Sequence, residues 1–74
     1  MTREQIKNQV AKLAKNVELT TGAEDLHIEL CEDGILVDHI GTKNDNVLNY
    51  FKGMKLTDFE YDEICNCSYY SYAR

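Results

Sequence analysis

Tryptophan and proline are missing from this chain of 74 residues. Long apolar runs are missing too. None approaches the ~20 residues that a bilayer-crossing helix needs, which argues against a membrane role. The opening Met1-Thr2-Arg3-Glu4-Gln5 is charged and lacks the apolar stretch of a secretory signal. The four glycines stand apart at positions 22, 34, 41 and 53, so no glycine-rich loop exists to cradle a phosphate. No D-x-D-x-D-G calcium loop occurs, and Asn44-Asp45-Asn46 lacks both its spacing and its terminal Glu. Cysteines number three, an odd count that points to reduced thiols and a cytoplasmic setting.

One further absence is local. From Glu18 to Thr42 there is no Lys or Arg, while seven carboxylates fall in the same stretch. Residues 1 to 17 carry Arg3, Lys7, Lys12 and Lys15 against Glu4 alone, a local +3. Residues 18 to 74 carry Lys43, Lys52, Lys55 and Arg74 against twelve carboxylates, a local −8, and the whole chain has a net charge of −5. Duplex nucleic acid repels such a body, because its binding depends on phosphate neutralisation by Lys and Arg. A basic protein surface does not.

What is present fits one small domain spanning residues 1–74. Apolar residues make up 43% of the chain, enough to exclude a disordered tail. A chain this short buries only about 60% of its unfolded surface, so its core is marginal. Thr2 and Gln5 form a capping box, and Ile6, Val10, Leu13, Ala14 and Val17 follow at helical spacing. This predicts a first helix fading near Asn16 or Val17, with Lys7, Lys12 and Lys15 on its polar side.

A hairpin over 26–40 follows. Leu26, Ile28 and Leu30 alternate with His27, Glu29 and Cys31, Glu32-Asp33-Gly34 breaks the pattern, and Ile35 to Ile40 is β-rich. A two-residue turn places Leu30 opposite Val37, Ile28 opposite His39 and Glu29 opposite Asp38. That last pair sets like charges across the ladder, so either a three-residue turn shifts the register or the pair serves something outside the fold. Asn44 or Asp45 caps a short helix with Val47, Leu48 and Phe51 inward, ending at Gly53 with Met54 packing back on Leu48. Thr57 with Glu60 reads as another capping box, starting a third helix with Phe59 and Ile64 as inner positions. The aromatic end, Cys65 to Arg74, favours a strand that joins the hairpin or a trailing tail. The expected class is α+β: an N-terminal helix on a small antiparallel sheet, two short helices, and a C-terminal strand.

Residues suited to chemistry are scattered. His27, Cys31, His39, Cys65 and Cys67 could supply four zinc ligands, but Cys65-x-Cys67 is tighter than the usual arm of a structural site. Reduced thiols and two imidazoles are the simpler reading, and no metal or other cofactor is expected. A nucleophilic thiol needs an electropositive pocket, whereas these surroundings are acidic. Paired carboxylates are abundant, yet acid–base catalysis would need two fixed across a cleft with one desolvated. No catalytic residue is expected.

Interface chemistry is better represented. Five tyrosines occur, four of them between Tyr61 and Tyr72; tyrosine offers large rigid area with a polar tip. Carboxylates beside tyrosine suit Lys and Arg through ion pairs and cation–π contact. The candidate partner-binding residues are therefore Glu29, Glu32, Asp33 and Asp38 from the hairpin, Asp58, Glu60, Asp62 and Glu63 from the expected third helix, and Tyr69, Tyr70 and Tyr72.

In size, acidity and α-β-β-α-α order the chain resembles the small inhibitors that bacteriophages direct at host nucleases, including anti-CRISPR proteins and DNA mimics. Separately, Lys52-Gly53-Met54-Lys55-Leu56-Thr57-Asp58-Phe59-Glu60 looks like a segment of the small uracil-DNA glycosylase inhibitors of Bacillus phages, over nine residues of 74. The resemblance implies a non-catalytic inhibitor that blocks a basic nucleic-acid-binding surface of a host nuclease or defence complex. It transfers no individual residue role. The alternatives are a homodimerising accessory module that pairs through its tyrosine-rich end, and a small metal-binding domain using Cys31, Cys65 and Cys67.

Overall fold

The computed structural model describes residues 2–74. It is α+β. The elements run α1 (Arg3–Thr21), β1 (Glu24–Cys31), β2 (Gly34–Ile40), α2 (Asp45–Tyr50), β3 (Lys55–Asp62) and β4 (Cys67–Ala73). The strands form one antiparallel sheet in the order β1-β2-β4-β3, so β1 and β3 are its edges.

Helix α1 starts as its sequence dictates. The Thr2 hydroxyl accepts from the Gln5 N–H at 3.2 Å, and the Gln5 amide oxygen accepts from the Thr2 N–H at 3.0 Å. It runs past Asn16 to Thr21. There the Thr21 hydroxyl donates to the Val17 carbonyl and accepts from the Ala23 N–H. Gly22 ends the helix in the left-handed conformation, φ 76°, with its N–H on the Glu18 carbonyl; a side chain would oppose that backbone shape. Asn44 caps α2, its side chain accepting from the N–H groups of Asn46 and Val47. This helix stops at Tyr50 with Phe51 as its C-cap, and Met54 bonds back to the Phe51 carbonyl. Gly53 is thus not the terminating residue that its position suggests.

Both helices cover one face of the sheet. Val17, Val37, Val47 and Tyr70 are fully buried there, with Leu26, Ile28, Ile35, Phe51 and Tyr72 around them. Tyr70 ties the layers together. Its hydroxyl lies 2.7 Å from His39 Nε2 and accepts from the Asn44 N–H at 2.9 Å, while His39 Nδ1 meets the Ile40 carbonyl at 2.9 Å. With the proton on Nδ1, every polar atom of this buried chain has a partner.

Two local expectations are corrected. The segment read as a third helix is β3. Its inner residues Leu56 and Phe59 pair with Tyr72 and Tyr70, and a register shift between Leu56 and Asp58 sets them three apart. A β-bulge there imitates helical spacing in the sequence. Ile64, expected inside, is instead almost fully exposed in the β3–β4 turn. The hairpin register is also different. Glu32-Asp33 form the turn, Gly34 opens β2, Ile28 opposes Val37 and Glu29 opposes Leu36. Glu29 and Asp38 therefore do not face each other. Gly34 is required for another reason: a Cβ would strike the Tyr72 carbonyl and press on Ala73.

Candidate functional site

Among the described residues no element covers the sheet face turned away from the helices. Strand alternation assigns its residues. β1 contributes His27, Glu29 and Cys31, β2 contributes Leu36, Asp38 and Ile40, β4 contributes Cys67, Tyr69, Ser71 and Ala73, and β3 contributes Asp58, Glu60 and Asp62, with Lys55 at its end opposite Ala73. The cross-strand register arranges them in rows: His27–Asp38–Tyr69–Glu60, Glu29–Leu36–Ser71–Asp58, and Ile40–Cys67–Asp62. Adjacent strands lie about 4.8 Å apart, so Asp38 and Glu60 flank Tyr69 at roughly twice that span.

The two central strands carry exposed Tyr69, Leu36 and Ile40 on this face, with Asp38 among them. Tyr69, Leu36 and Ile40 keep 42%, 40% and 41% of their surface exposed. Carboxylates border these strands on both sides. His27 sits 3.2 Å from Asp38 and 3.7 Å from Asp25, and among the described residues no Lys or Arg lies within ion-pairing distance of the face's carboxylates. The basic residues Lys7, Lys12 and Lys15 stand exposed on α1, in the opposite layer.

At one end, Cys65 Sγ lies 3.6 Å from the Tyr69 hydroxyl and Cys67 Sγ donates to the Cys65 carbonyl. The hydrogen bond to Cys65 pushes the Tyr69 phenol above its usual range. The Cys67 thiol is also raised, first by its neighbour Cys65 and then by burial. A raised thiol is the reverse of what a nucleophile needs.

Six of the proposed partner-binding residues thus share one face: Glu29, Asp38, Asp58, Glu60, Asp62 and Tyr69. The others do not. Glu32 and Asp33 sit at the tip of the β1–β2 turn and Glu63 in the β3–β4 turn, all exposed. Tyr70 and Tyr72 are core residues, 0% and 4% exposed, and cannot anchor a partner. The tyrosine-rich strand is central, bonded to β2 on one side and β3 on the other, so it offers no edge to a twin. Cys31 pairs near Gly34 and Cys67 near Ile40, at opposite ends of β2, which separates them by roughly 20 Å. Among the described residues no group of three or more His, Cys, Asp and Glu gathers to hold a metal.

Leu36 and Ile40 were not singled out from the sequence. Their signal was the even-numbered alternation with Asp38, visible only once Gly34 is recognised as the start of β2.

The fold and this face define a small two-layer α+β protein with one bare, acid-bordered sheet surface. The chain matches no protein-family model, no curated protein and no solved structure. Among the described residues no helix is long and apolar enough to cross a membrane.

Proposed function

We infer that the protein is a non-catalytic binding protein that uses its bare sheet face to occupy a basic, nucleic-acid-binding surface of another protein. The observation that carries this reading is the gathering of Glu29, Asp38, Asp58, Glu60 and Asp62 from three strands around Tyr69, Leu36 and Ile40. Exposed Tyr69, Leu36 and Ile40 supply area to bury, and the carboxylates beside them and between them supply the polar contacts of a protein interface. Carboxylates on paired strands hold fixed spacings, so they can stand in for phosphates against Lys and Arg, while Tyr69 receives a guanidinium on its ring. Association is then electrostatically steered and sensitive to salt. In this reading a host nuclease or defence complex is the target, the role filled by the small phage inhibitors the chain resembles.

Capture from a bacterial lysate on immobilised protein tests this, with duplex DNA as competitor. Support requires a retained nucleic-acid-binding protein that is released by DNA and by high salt. Retained proteins indifferent to both would contradict the reading.

A further inference from the structure

The sheet has two free edges, and they differ in chemistry. Beside the β1 edge runs an apolar groove of ≈ 490 Å³ walled by Ile6, Val10 and Ala14 of α1 and by Ile28 and Leu30 of β1. His27 and Glu29, which point to the other face of the strand, also line it. Consecutive residues from both faces mark the groove as the strand's own edge. Ile6 and Leu30 remain 37% and 47% exposed there.

We propose that a second copy of this chain occupies the β1 edge, through antiparallel pairing of β1 with β1 about a two-fold axis at Ile28. The segment Leu26-His27-Ile28-Glu29-Leu30 is self-complementary about its centre. Such pairing sets Leu26 against the partner's Leu30, and His27 against the partner's Glu29, twice over. Residues directly opposite across a ladder share a face, so only registers centred on a residue are allowed. Centring on His27 opposes Asp25 and Glu29, and centring on Glu29 opposes that residue to itself. Within the regular run from His27 to Cys31, the Ile28 centre alone combines apolar with apolar and imidazole with carboxylate. The register shift between Glu24 and His27, where Asp25 has φ 50°, and the turn at Glu32-Asp33 bound the regular run on either side, with Leu26 at its margin.

The β3 edge behaves oppositely. Centring on Phe59 opposes Asp58 and Glu60, centring on Tyr61 opposes Glu60 and Asp62, and centring on Glu60 opposes it to itself. Like charges guard that edge against self-pairing. The two-fold axis at Ile28 stands perpendicular to the sheet, so each face continues into its twin and both α1 helices close over the groove. This goes beyond the partner-binding reading and does not depend on it.

Sedimentation velocity across a concentration series tests the pairing, with circular dichroism to confirm folding of each variant. His27 and Glu29 are exposed, so their substitution leaves the core intact. Wild type should show a monomer–dimer equilibrium. H27E opposes two glutamates at both symmetric positions and should raise the dimer Kd about tenfold or more. H27E/E29K should restore it. A wild type that stays monomeric at all concentrations overturns the proposal, including where the edge instead takes an extended segment of another protein. A dimer unaffected by H27E, or a double variant without rescue, overturns it as well.

Discussion

At the scale of single residues, Tyr70 and Tyr72 show how two similar side chains acquire opposite roles. Both belong to β4 and both are buried, but only Tyr70 has partners for its hydroxyl. Tyr72's hydroxyl is buried with none, alone among the buried side-chain polar atoms of the described residues. Removing a satisfied hydroxyl leaves His39 and the Asn44 N–H unpaired, so Y70F should lower stability by ~1–3 kcal/mol. Y72F removes an unsatisfied one and should be neutral or stabilising, by up to ~1 kcal/mol. Chemical denaturation of the two variants measures this difference, and equal destabilisation would contradict the assignment.

The same phenols set an alkaline limit. Burial pushes Tyr70 up, and burial with the neighbouring Tyr70 pushes Tyr72 up to about 12. A group raised in the fold contributes stability that is complete below its unfolded value near 10 and lost as pH climbs toward the folded value. Tyrosinate absorbance from the core should therefore appear together with loss of circular dichroism. A complete tyrosinate signal with the dichroism intact would contradict the burial. Gly34 makes a third case. G34A forces β2 and β4 apart at the Tyr72 carbonyl and should cost ~3 kcal/mol, read from the thermal midpoint.

At the scale of elements, legibility in the sequence followed local signals and failed where tertiary pairing decided. The capping box at Thr2 and the stripe from Ile6 to Val17 announced α1 because capping and amphipathicity act within a few residues. The hairpin was legible as alternation. Its register was not, because Asp33-Gly34 reads as a turn while Gly34 is needed for close approach to β4. Leu56 and Phe59 misled through the bulge between them, which gives a strand the three-residue spacing of a helix. The central place of β4 had no local signal at all, since it depends on β2 and β3 finding it from both sides. The acids were visible as a count. Their convergence with Tyr69, Leu36 and Ile40 required the register.

At the scale of the molecule, the two layers separate charge. The uncovered sheet face is acidic and its helix-bearing opposite carries Lys7, Lys12 and Lys15. Such a dipole orients the protein toward a basic surface before contact, and salt screens the effect beyond about 8 Å at physiological strength. The hairpin tip supplies an internal control, since Glu32 and Asp33 carry equal charge away from the face. Charge reversal at Asp38 and Glu60 is the most direct test of whether position, rather than net acidity, governs binding. The double variants D38K/E60K and E32K/D33K shift net charge equally, and their capture of the DNA-displaceable partner can be compared at one salt concentration. The account predicts that D38K/E60K loses capture while E32K/D33K keeps most of it, both remaining folded. Equal losses, or retention by D38K/E60K, would contradict it.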